Sequence, residues 1–205
     1  MESGITVTGT GQATAPADLL RLTLSVGQDA ADVATAVAEV AERTDAVTAA
    51  LREQGVTLAD IQTSSVNVHP QYADSMSVAG YRASHSMTVT TRDLTGFGRL
   101  LNAAVQAVGN SLGLDYLQFD VEDKSALLEC ARELAFAQAR QKADQLAVLA
   151  GQTIGSIAAV AESYGHAPIR EMAAKAVSGG FAPDLAVTPG EQTIEVSVEV
   201  RWTWS

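Results

Sequence analysis

The sequence predicts an α+β fold, an antiparallel or mixed sheet of about seven to eight strands with three main helices packed on it. Three observations carry this expectation. Ile194, Val196, Val198, Val200, Trp202 and Trp204 alternate with Thr193, Glu195, Ser197, Glu199, Arg201 and Thr203, the period of a strand with one buried face. Lys124 to Ala150 reads as one long helix, opened by Asp123 as N-cap and stopped by Gly151 at the C′ position. Around them, shorter alternating and helical runs interleave, with glycine at many of the joints.

The elements follow in order. Ile5 to Gly9 alternates and reads as a short strand, with Gly9-Thr10-Gly11 breaking it. Leu20, Leu22, Leu24 and Val26 alternate with Arg21, Thr23 and Ser25 as a half-buried strand, and Pro16 stands before it. Asp32 to Gln54 is a helix closed by Gly55, with Val33, Val37, Val40, Thr44, Val47 and Leu51 on its apolar face. That spacing resembles a coiled coil, but a polar Thr44 in so short a seam favours a helix lying on a sheet. Ile61 to Tyr72 and Tyr81 to Thr91 form a hairpin whose connection contains Gly80.

The next helix is capped by Asp93 or Thr95, presents Phe97, Leu100, Leu101, Ala104, Val105 and Val108, and ends at Gly109. Leu114 to Val121 returns as a strand, the long helix follows, and Thr153 to Ser163 is another strand. The long helix carries a mostly small stripe: Leu127, Cys130, Ala131, Leu134, Ala135, Ala139, Leu146 and Leu149. Small residues let a sheet approach it closely. The last strand is long enough for a central or bridging place, and burying each of its Val side chains is worth roughly 1.5–3 kcal/mol.

One domain over residues 1–205 accommodates these elements, with a Gly/Pro-rich loop insertion at about 165–190. That loop holds Pro168, Gly179-Gly180, Pro183 and Pro189, and Ile169 to Val177 is its candidate short helix. Its length makes it functional, mobile or both. One internal echo stands out: Leu51-x-x-x-Gly55 leads to Ile61 as Ala147-x-x-x-Gly151 leads to Ile157. A duplicated unit explains it, and so does ordinary helix-to-strand loop chemistry, which is the preferred reading.

With 47% hydrophobic and 18% charged residues the chain can build a core without staples. A net charge of −11 repels polyanions, which argues against nucleic acid and anionic membrane surfaces. No run approaches the ~20 apolar residues of a membrane span. Cys130 is the single cysteine, so no intrachain disulfide forms, and its place on the apolar stripe reads as a small buried hydrophobe. Met1-Glu2-Ser3-Gly4 has neither a basic nor an apolar leader region, which points to the cytoplasm, or to the periplasm or secretion if a leader has been removed.

No chemistry-bearing constellation emerges. Gly109-x-Ser111-x-Gly113 matches a nucleophile-elbow pattern, but it follows a helix and precedes a strand, the reverse of what an elbow needs. Gly9-x-Gly11 lacks the third glycine of a dinucleotide fingerprint, and a strand follows it. His69 and His85 are expected on opposite faces of their hairpin, and His166 lies in the long loop, so no metal site is read. Glu195 and Glu199 share a face about 13 Å apart, too far for acid–base partnership in most glycoside mechanisms. No catalytic, cofactor-binding or metal residue is therefore assigned, and no cofactor is expected.

The order of several short motifs is more specific than any one of them. Ile5-Thr-Val-Thr-Gly-Thr-Gly11 begins the chain, and Gly55, Asp60-Ile-Gln-Thr63, Pro70-x-Tyr72 and Gly80-Tyr81-Arg82-Ala83-Ser84 mark its middle. Thr91-Arg-Asp-Leu94, Ala131-Arg132, Ala139-Arg140-x-Lys142-Ala143 and Pro189-Gly190 follow. In that order the chain resembles the SIMPL-domain family, also called DUF541, and within it the YggE-like bacterial proteins. The resemblance implies an α+β fold, a large ring or channel-like oligomer in at least one bacterial member, and a link to stress tolerance. It supplies no catalytic residues. The expected function is a non-enzymatic, self-assembling interaction or scaffold protein, a homo-oligomer with a possible protein partner. The alternative is a small-molecule binding protein with a pocket between sheet and helices.

Overall fold

The computed structural model describes residues 4–73, 77–163 and 187–205. Seven strands and three main helices follow one another as β1 (Gly4–Pro16), β2 (Leu19–Ala30), α1 (Val33–Glu53), β3 (Ile61–Tyr72), β4 (Val78–Thr91), α2 (Phe97–Val108), β5 (Leu112–Asp120), α3 (Ser125–Leu149), β6 (Ile154–Ser163) and β7 (Glu191–Trp204). The α+β class is as the patterning predicts. The strands divide into two sheets, ordered β1-β7-β6 and β3-β4-β2-β5, and every pairing is antiparallel. The segment read as a loop falls mostly on residues 164–186, which with His166 and Ile169 to Val177 lie outside the described residues.

The chain forms two compact units. The first contains β1, α3, β6 and β7. Its core is Val7 and Ala13 of β1, Val196, Val198, Val200 and Trp202 of β7, and Ala131, Ala135, Ala139 and Ala143 of α3. As its length suggests, β7 is the central strand, flanked on both sides. The second contains β2 to β5 with α1 and α2. There Leu20, Leu22, Leu24 and Val26 of β2 meet Val47 and Leu51 of α1 and Phe97, Leu100, Leu101 and Ala104 of α2.

Both units repeat one topology. Each runs strand, helix, strand, strand, and in each the last of these strands pairs with the other two: β1-β7-β6 with α3, and β2-β4-β3 with α1. The two helices even end alike. After α1 the amide of Gly55 donates to Arg52 O and that of Val56 to Leu51 O, and after α3 Gly151 donates to Val148 O and Gln152 to Ala147 O. Both are Schellman motifs, and Gly55 (φ 92°) and Gly151 (φ 68°) occupy the left-handed position that the motif requires. The echo between the helix ends thus extends to a whole β-α-β-β unit, beyond the loop chemistry preferred from sequence.

Several local expectations are corrected. Gly9 and Gly11 do not break a strand; β1 runs through both, because the α3 backbone lies directly on them. Gly80 sits inside β4, where an added Cβ would come within 2.8 Å of Ala30 O. On α1 the buried set is Ala36, Val40, Val47 and Leu51, while Val33 and Val37 are exposed at the helix start. Val105 of α2 is likewise exposed. On α3 the buried row is Ala131, Ala135, Ala139, Ala143 and Ala147, and Cys130, Leu134, Leu146 and Leu149 face outward. An unbroken four-residue spacing of alanines, not the larger leucines, meets the sheet.

Three aspartates organise the helix starts. Asp32 accepts the amide of Thr35 at 2.9 Å and its hydroxyl at 2.8 Å. Asp123 accepts the amide of Ser125 at 2.9 Å from one residue before the N-cap, which is Lys124 and not Asp123 as expected. Asp93 accepts both groups of Thr95 and pairs with Arg99, shaping the turn before α2 rather than capping it directly. All three are held below the ordinary carboxylate value of 3.8: Asp32 chiefly by the Thr35 amide, Asp93 by the Thr95 hydroxyl, and Asp123 by the Ser125 side chain. A depressed carboxylate stabilises the fold above its unfolded value and loses that contribution as pH falls through its folded value. Thermal melts between about pH 5 and pH 2 will therefore decline below the ordinary carboxylate range. Asp32→Asn and Asp123→Asn keep an accepting oxygen but cannot protonate, and together they will flatten that decline.

Candidate interaction surface

The residues weighed for chemistry do not converge. His69 stands opposite Arg82 in the β3–β4 ladder and His85 opposite Val66, which puts the two rings on opposite faces as their alternation predicts. His85 Nε2 lies 3.1 Å from Thr63 Oγ1. Ser111 follows α2 and precedes β5, accepts from Arg43 Nη1, and donates to Gln28 Oε1 at 3.4 Å, so it ties a turn to neighbouring elements. Glu195 is bound by Gln12 across the β1–β7 pair. Cys130 is exposed on α3, so its reading as a buried hydrophobe fails. Among the described residues no three His, Cys, Asp or Glu side chains gather as a metal site would need.

What the fold does present is uncovered strand. In the first unit α3 lies along β1 and β7 and barely touches β6. Its side chains also hold the outer edge of β1: Gln138 Oε1 accepts the Thr10 amide at 2.8 Å, and Lys142 Nζ donates to Thr8 O at 2.9 Å. On β6, Arg132 of α3 pairs with Glu162 at 2.6 Å. Ile157 stands opposite Trp202 and Val160 opposite Val200, so both lie on the face that carries α3, yet they are 48% and 55% exposed. Phe136 of α3, partly exposed, stacks at a tilt on Trp202 with ring centroids 6.4 Å apart. The Trp202 ring is fully buried, and its Nε1 has no partner among the described residues.

The second unit repeats the arrangement. α1 rests on β2 and β4 and scarcely reaches β3. Val66 and Val68 pair with His85 and Ala83, and Ala83 packs under Ala36 and Val40 of α1. Both valines therefore lie on the helix-bearing face, where they remain exposed. His85 Nδ1 and Thr44 Oγ1 are buried on this side without a partner among the described residues. Periodicity marks such strands as half-buried, but only the placement of the helix reveals that the apolar half is bare.

An α+β protein of two β-α-β-β units, each with an overhanging apolar edge strand, is the class that the fold defines. The chain belongs to the SIMPL family, described as a protein of unknown function (DUF541), whose model matches residues 5–202. It is 32% identical to the 26 kDa periplasmic immunogenic protein of Brucella melitensis biotype 1, over 96% of this chain and 82% of that protein. It is 28% identical to the uncharacterized protein YggE of Edwardsiella ictaluri, over 96% of this chain and 84% of that one. YggE of Escherichia coli strain K12 is 30% identical over 70% of this chain and 58% of its own length. No helix among the described residues is long and apolar enough to cross a membrane.

Proposed function

We propose that this chain is a non-enzymatic, self-assembling interaction protein that works as a homo-oligomer and offers surfaces to other proteins. The observation that carries this reading is the pair of uncovered apolar edge strands, β3 and β6. Sheet edges of this kind are templates for another strand unless they are blunted. The periplasmic naming of two Brucella relatives supports a periplasmic setting over the cytoplasmic one. A scaffold role in stress tolerance fits the family resemblance and belongs to the same proposal.

A second reading, a small-molecule binder, draws on His85 Nδ1 and Thr44 Oγ1, buried polar atoms on the helix side of the second sheet that a bound group could satisfy. One experiment separates the two. The native protein is sized by light scattering and weighed by native mass spectrometry. A discrete multiple of the 21.3 kDa chain is the expected result. A monomer at all accessible concentrations overturns the assembly reading. A monomer carrying a retained small molecule moves the binding reading to the front.

A further inference from the structure

We draw no further inference here: the strongest candidate, the His85 and Thr44 side-chain cluster on the helix side of the second sheet, belongs to the small-molecule site already described, and nothing in the structure shows what would occupy it.

Discussion

Gly11→Ala will unfold the first unit or leave it only marginally stable, although it adds a single methyl group. A Cβ at Gly11 would lie 2.1 Å from Ala131 O and 2.4 Å from Ala135 N; one at Gly9 would lie 2.0 Å from Ala135 O and 2.5 Å from Ala139 N. These neighbours are helix backbone and cannot rotate away. The helix would have to lift off β1, breaking the Gln138 and Lys142 bonds to Thr10 and Thr8 and opening the alanine row. Overpacking that side chains can absorb costs about 1–3 kcal/mol; a clash with backbone on this scale is expected to exceed ~3 kcal/mol. Urea denaturation followed by tryptophan fluorescence will show it, since both Trp202 and Trp204 are on β7 in this unit. Gly190→Ala is the control, because nothing lies within 4 Å of its added Cβ. A Gly11→Ala midpoint equal to that of Gly190→Ala would mean that α3 does not sit on the β1 backbone.

The same contact explains what the sequence disclosed and what it hid. The limits of α3 are legible almost to the residue, because Asp123 and Gly151 are local signals read by backbone groups within one turn. Its buried face is less so. Leu134, Leu146 and Leu149 outweigh alanine on any hydrophobicity scale and pull the apparent stripe round the helix, while the row that meets the sheet is alanine throughout. Gly9-x-Gly11 has the composition of a break, and only the helix lying across it turns the two glycines into a strand requirement. Division into two sheets depends on partners as distant as Gly4 and Thr203, and no local pattern encodes such pairing. The candidate surface was hidden for a further reason. Val66, Val68, Ile157 and Val160 look like core residues, and they are bare because α1 rests on β2 and β4 and α3 on β1 and β7.

Trp202→Ala will cost about 3–5 kcal/mol, the range for truncating a large buried aromatic, and Trp202→Phe much less. The ring is fully buried in the middle of the first unit, between β1 and β6 on the central strand, with Phe136 leaning on it from α3. Alanine would leave a cavity beneath α3 that its alanine row is too short to fill and β7, paired on both sides, cannot collapse into. Phenylalanine keeps most of the volume and removes Nε1, a donor buried without a partner among the described residues, whose desolvation the native fold bears. Both variants remove that unsatisfied donor, a gain set against lost volume, and the volume lost is far larger with alanine. Chemical denaturation of both, monitored by far-ultraviolet circular dichroism, separates the contributions. Equal destabilisation by alanine and phenylalanine would show that Nε1 has a partner in solution, and the buried end of the indole, rather than its bulk, would then be what holds β7 in place.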